Sequence, residues 1–206
     1  MVQRVRIPAL FGFAALSCLA AADRLIDIPT AAKLPFGDFR LEYTDSVADG
    51  RTQLGYFDTG ISTSFEAAIR TEQYLHHSFV TTTDFEYVYI SPISDLTPGL
   101  AAGVQDVLGD TQDGRRYYVC ATWRNTVESA GGDHPSDVTL GYYFGSHPAP
   151  FVGTSIPFSS CFRLLAEHDG IRLSAGFEFL PTPGVALRLV ERGPDLMADL
   201  SFRGHF

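Results

Sequence analysis

The sequence predicts an all-β chain, an antiparallel up-and-down transmembrane β-barrel of about twelve strands, with ten as the fallback. Three observations carry this. Apolar–polar alternation of period two recurs along most of the chain. Turn dipeptides separate the alternating runs. The polar side of the alternation holds small residues and charges of both signs, while lysine occurs once, at Lys33. A soluble surface normally carries more lysine, whereas a narrow membrane barrel needs small residues and paired charges inside.

The first 22 residues stand apart. Arg4 and Arg6 precede an apolar run from Ile7 to Leu19, which ends in Ala20, Ala21 and Ala22 before Asp23. A basic start, a short apolar middle and small residues at a cut site describe a secretory signal peptide. The run is too short to cross a bilayer as a helix, which takes about 20 apolar residues. The expected organisation is therefore a signal peptide over 1–22, a periplasmic segment over 23–35 and a barrel domain over 36–206. Removing the signal takes away two arginines and no acid, moving the formal net charge from −9 to −11. Such a balance excludes nucleic acid as a partner class. Cys120 and Cys161 remain after processing, and two cysteines are too few for a disulfide framework.

The strands follow in order. Phe39, Leu41 and Tyr43 alternate with Arg40 and Glu42. Phe65, Ala67 and Ile69 alternate with Glu66, Ala68 and Arg70. Phe85, Tyr87 and Tyr89 face away from Thr82, Asp84 and Glu86. Tyr117, Val119, Ala121 and Trp123 oppose Arg116, Tyr118, Cys120 and Thr122. Val138, Leu140, Tyr142 and Phe144 form the next run, and Phe177 and Phe179 oppose Ser174, Gly176 and Glu178. Val185, Leu187 and Leu189 oppose Ala186, Arg188 and Val190. The last run, from Leu196 to Phe206, alternates without a break. Less regular runs lie near 52–61, 99–108, 150–157 and 162–168. Asp49-Gly50, Pro98-Gly99, Asp113-Gly114, Asp169-Gly170 and Pro183-Gly184 are the turn signals, and 125–135 reads as the longest gap.

Alternation alone fits two barrels. A soluble lipocalin-like binding barrel keeps its apolar face inside; a membrane barrel turns it towards lipid. The membrane form is favoured by run lengths of about 8 to 11 residues and by aromatics near run ends. These are Phe36, Phe39, Tyr56, Phe79, Tyr89, Trp123, Phe144, Phe151, Phe158, Phe179 and Phe206. On this reading Arg40, Glu42, Glu66, Arg70, Asp84, Glu86, Arg116, Arg163, Arg172, Glu178, Arg188, Asp199 and Arg203 line the lumen.

The ending Leu200-Ser201-Phe202-Arg203-Gly204-His205-Phe206 resembles the terminal strand of bacterial outer-membrane barrels. That resemblance implies residence in the outer membrane, with its lipid and the barrel-assembly machinery as partners. Phe202 and Phe206 would form the assembly signal. The start, Leu25-Ile26-Asp27-Ile28-Pro29-Thr30-Ala31 and then Leu34-Pro35-Phe36-Gly37, is similar to the YjbH-like family of outer-membrane barrels. Gly103-Val104-Gln105-Asp106 and Ala166-Glu167-His168-Asp169-Gly170 fit the same pattern. This second resemblance implies an association with exopolysaccharide, and it supplies no catalytic residues.

Sites for chemistry are few. His76, His77 and Ser78 form a His–Ser cluster, but neighbours on a strand point to opposite faces and suit a nucleophile–base pair poorly. His134 with Asp133 and Asp137 matches no zinc or calcium spacing. His168 with Glu167 and Asp169 reads as a turn. No cofactor, no metal and no enzymatic activity are expected. The functional expectation is a narrow channel or export-associated barrel linked to envelope polysaccharide. The alternatives are a non-catalytic structural or adhesion barrel with a plugged lumen, a soluble periplasmic lipocalin-like barrel, and a lipid-modifying membrane enzyme.

Overall fold

The computed structural model describes residues 24–47, 52–74, 78–111, 113–130 and 132–206. Twelve antiparallel strands are named among them: β1 (Asp38–Ser46), β2 (Thr52–Gly60), β3 (Phe65–Tyr74), β4 (Val80–Ile90), β5 (Gly99–Gln105), β6 (Arg116–Ser129), β7 (Gly132–Gly145), β8 (Ala149–Ser159), β9 (Phe162–His168), β10 (Leu173–Thr182), β11 (Val185–Arg192) and β12 (Asp195–His205). Each pairs with its neighbours in sequence, and β12 returns to β1, so the sheet closes without an edge. The closing register runs from Asp38 opposite His205 to Ser46 opposite Met197. An even strand count brings both barrel termini to one end, called here the terminal end. The expectation of twelve strands is met. The signal-peptide reading over 1–22 and the turn Asp49-Gly50 lie outside the described residues.

Which face is apolar separates the two barrel readings. Leu41, Ile69, Phe85, Val119, Leu140, Phe177, Leu187 and Leu200 all point outward and are roughly half exposed. Their strand neighbours, including Arg40, Glu42, Asp84, Arg188 and Asp199, are buried. A barrel in water would put the first set inside. An apolar exterior around a charged interior suits hydrocarbon, where the closed ladder also leaves no backbone group unpaired. The lipocalin-like alternative is overturned by this inversion.

Aromatics gather at the terminal end of the exterior. Phe39 lies 4.8 Å from Phe206 and about 6 Å from Phe57 and Phe202, centroid to centroid, across the β12–β1–β2 seam. Phe65–Tyr87 and Phe162–Phe177 continue the band. Two residues expected in this girdle sit inside instead. Tyr56 faces the lumen under a guanidinium, and Phe151 is fully buried against Tyr143.

The 125–135 segment is also corrected. Its flanks continue the β6–β7 ladder, from Arg124 opposite Asp137 down to Ser129 opposite Gly132. Glycine, proline and asparagine hide a strand from a propensity reading, but the neighbouring strand carries the ladder through them. At the opposite end, Asp106 organises the connection 106–115. It adopts a positive φ of 54°. Its carboxylate accepts hydrogen bonds from the Thr82 and Thr111 hydroxyls, each at 2.6 Å, and from the N–H groups of Gly109, Asp110 and Thr111.

Burial pushes the Asp106 pKa up, yet these hydrogen bonds outweigh it and hold the carboxyl well below the usual range. A lowered native pKa gives stability that is present above the unfolded value, near pH 4, and lost as pH falls through the native one. Asp106→Ala is expected to lower stability by about 2–4 kcal/mol at neutral pH. Its deficit against the wild type, read by thermal unfolding, should be constant from pH 8 to 5 and shrink in stronger acid.

Candidate functional site in the barrel lumen

A ring of twelve strands is wider than its own side chains can fill. With strands about 4.8 Å apart and tilted about 40°, the backbone cylinder is about 24 Å across, whereas eight strands already suffice for side chains to meet. Water or another part of the chain must fill the centre. In this structure it is the segment that precedes β1.

Residues 24–34 run inside the barrel, and Pro35 and Phe36 emerge exposed at the terminal end. Arg24 and Pro29 form an antiparallel bridge, and the Leu25 N–H donates to the Ile28 carbonyl at 3.0 Å, so 24–29 is a tight hairpin. Its tip meets Glu167 of β9, whose carboxyl accepts the N–H groups of Ile26, Asp27 and Ile28 at 2.9, 2.8 and 3.3 Å. Asp27 pairs with Arg192 of β11 at 2.6 Å. The segment then descends. The Ala31 N–H donates to Thr122 Oγ1 at 2.8 Å, and the Leu34 N–H to Glu66 at 2.7 Å. Phe36 bridges Gly60 at the terminal end.

Ile28 and Ala31 are 0% exposed. The segment expected as periplasmic, 23–35, packs within the barrel over 24–34. The physical reason lies on the wall. Val88, Ala101, Tyr118, Cys120, Tyr143, Phe151 and Leu165 point inward and form one apolar cluster with Leu25, Ile28 and Ala31. Glycine makes room for it: a Cβ on Gly153 would stand 2.6 Å from both Ile28 Cδ1 and Leu25 Cδ2. Cys120 within this cluster and Cys161 at the β8–β9 turn are both free thiols.

The remaining lumen is ionic. Arg40, Glu42, Glu66, Asp84, Glu86, Arg116, Arg163, Glu178, Arg188 and Asp199 are all buried on inward positions. Arg70 is nearly so and lies 3.9 Å from Asp84. Glu42 is the hub, bonded to Arg24 of the plug and within 3.3 and 3.8 Å of Arg188 and Arg40. Arg40 also binds Asp58 at 2.8 Å, and Arg188 reaches Glu178 and Asp199. Arg116 stacks on Tyr143.

Two of the expected lining residues stand at the rims. Arg172 lies in the β9–β10 connection against Asp113 and Asp169, and Arg203 pairs with Asp38 at 2.7 Å near the terminal mouth. Sequence reasoning missed Asp58, in an irregular run, and Glu72, just past the end of the 65–70 run; both are buried inside. Phe202 and Phe206 are exposed on the outer band.

The plug divides the free space into small chambers. One, lined by Arg24, Tyr56, Glu66, Asp84, Glu86 and Tyr118 among others, sits on the β2–β6 side. Another, of about 50 Å³, opens towards the terminal end between Arg40, Arg163, Arg188 and Arg203. Such a space holds a few waters and nothing larger. The other candidate sites do not assemble. Asp137 is held by Arg124 at 2.7 and 2.8 Å, away from any metal role with His134, and no cluster of metal-binding side chains occurs among the described residues. His76 and His77 lie outside the described residues.

No protein family matches this sequence, and no curated protein does. Solved structures do match. The KdgM porin, solved in complex with disordered oligogalacturonate, aligns with a TM-score of 0.52 at 12% identity, covering 82% of this chain and 98% of that one. The Acinetobacter baumannii outer-membrane protein Omp33 aligns with a TM-score of 0.47 at 11% identity, covering 82% and 96%. The NanC porin gives 0.44 at 10% identity, covering 82% and 98%. Closed ring, apolar exterior and charged interior together give this chain the fold of an outer-membrane porin barrel.

Proposed function

We propose that the protein is an outer-membrane channel closed at rest by its own N-terminal segment, and that it passes small solutes when the segment withdraws. One observation supports this above the others: the centre of the lumen is filled by the short segment ahead of β1, not by the wall alone. The wall is too wide to close itself, so departure of the segment leaves a continuous passage, charged on one side and apolar on the other. The segment is held by discrete hydrogen bonds and ion pairs beside one apolar cluster, and it belongs to no named strand. The outer-membrane location, with surrounding lipid and the barrel-assembly machinery as partners, rests on the inverted barrel and on the exposed terminal Phe206. A link to envelope polysaccharide rests on the YjbH-like resemblance of the first residues and on the oligogalacturonate held by the KdgM porin. The dense ion pairs at Glu42 favour a second reading, a permanently plugged structural barrel.

The deciding experiment is single-channel recording in planar bilayers, comparing the full chain with a variant lacking 24–34. A gated channel shows a mostly closed full chain with voltage-driven openings, and an open truncated barrel. A full chain that never opens supports the permanent plug. A truncated barrel that stays silent removes the channel reading altogether.

A further inference from the structure

The segment ahead of β1 is gripped by its main chain. Its tip offers three successive backbone N–H groups, at Ile26, Asp27 and Ile28, and one carboxyl, Glu167 of β9, accepts all three at 2.9, 2.8 and 3.3 Å. Further along, the Ala31 N–H donates to Thr122 Oγ1 at 2.8 Å. Such bonds read groups that every peptide carries.

Side chains are read beside them. Gly153 stands directly opposite Glu167 in the β8–β9 register. The space left by its missing Cβ is taken by Leu25 Cδ2 and Ile28 Cδ1, each 2.6 Å from where that atom would stand. Phe151 and Leu165, the next inward residues along β8 and β9, belong to the same apolar cluster as Leu25 and Ile28. An aliphatic niche next to a carboxyl that takes successive N–H groups matches an aliphatic peptide. An inorganic ion or an acidic sugar brings neither the N–H groups nor the aliphatic side chains.

We propose that this part of the lumen wall is a binding site for short peptides with branched aliphatic side chains, and that residues 25–28 are its built-in occupant. This rests on the gated-channel reading for passage through the lumen, though not for binding. A peptide seated at Gly153 and Glu167 takes over the contacts of the segment, so the solute that the passage admits is also the one that unseats its plug.

The full chain carrying Leu25→Ser and Ile28→Ser keeps the wall intact while weakening the built-in occupant. In it, residues 25–29 added as a free peptide, acetylated and amidated, should raise the thermal unfolding midpoint saturably. The same peptide with serine in place of Leu25 and Ile28 should bind at least about a hundredfold more weakly, since each buried aliphatic side chain contributes about tenfold or more. Adding Glu167→Leu to the barrel should weaken the unaltered peptide at least about tenfold. A midpoint indifferent to the peptide, or raised equally by 1-hexanol or by oligogalacturonate, overturns the site. The unaltered chain gives a second readout: the free peptide should displace the segment and raise trypsin cleavage after Lys33, and cleavage that stays constant at millimolar peptide overturns the site as well. In bilayers the doubly substituted chain should conduct, and the peptide should interrupt its current. Peptide binding without any current defeats the channel and leaves the site standing, whereas current without peptide binding does the reverse.

Discussion

Deleting 24–34 is expected to convert a mostly closed barrel into one that conducts continuously. The mean current should rise at least about tenfold, because a twelve-strand cylinder about 24 Å across keeps a gap that its wall side chains do not bridge. The deletion removes the Arg24 partner of Glu42 and the N–H donors on Glu66 and Glu167. It also uncovers the inner faces of Ala101, Phe151 and Leu165. Some stability is lost with them: burial of Leu25 and Ile28 contributes about 1.5–3 kcal/mol each. The barrel ladder itself is untouched, since no strand includes these residues. A heat-sensitive gel mobility checks that the truncated barrel remains folded, and the bilayer recording reads the effect.

The second large effect is expected at Glu167. Its carboxyl receives three successive backbone N–H groups at the plug's tip. Glu167→Leu fills a similar volume and accepts nothing. Each orphaned buried donor costs about 1–3 kcal/mol, so the closed form should lose about 3–6 kcal/mol, shifting the opening equilibrium by at least about a hundredfold. Glu167→Gln keeps one acceptor oxygen and should fall between. Glu178→Gln is the control: Glu178 is buried beside Arg188 and makes no bond to the plug. Opening frequency and trypsin cleavage after Arg24 and Lys33 measure the same equilibrium by independent means. Both should rise in Glu167→Leu and stay near wild type in Glu178→Gln.

The outer wall was legible in the sequence because hydrocarbon imposes a strict rule on it. Every residue facing lipid must be apolar or aromatic, so 196–206 and 173–179 display their strands openly, and the charges between them fall on inward positions. The inner wall obeys no single rule. Part of it faces ion pairs and part faces the plug, so Val88, Ala101, Phe151 and Leu165 interrupt the polar side with apolar residues. These interruptions were the available signal: an apolar patch on the inward face of β4 to β9 demands an apolar cover, and Leu25, Ile28 and Ala31 are that cover. The β6–β7 hairpin was hidden by its composition, with Gly132 and Pro135 inside a continuous ladder. Partners across the lumen, such as Asp27 with Arg192 or Glu42 with Arg188, depend on closure of the whole ring, which no local window contains.

Gating requires that 24–36 move. Thr122 Oγ1 accepts the Ala31 N–H at 2.8 Å, so these two positions lie side by side on plug and wall. Ala31→Cys with Thr122→Cys, on a chain carrying Cys120→Ala and Cys161→Ala, places a pair of thiols there that oxidation can join. Single-channel current is then recorded before and after reduction, with the bond verified by mass spectrometry. A gate predicts silence in the oxidised protein and voltage-driven openings once the bond is reduced. The same current in both states, conducting or silent, would contradict it.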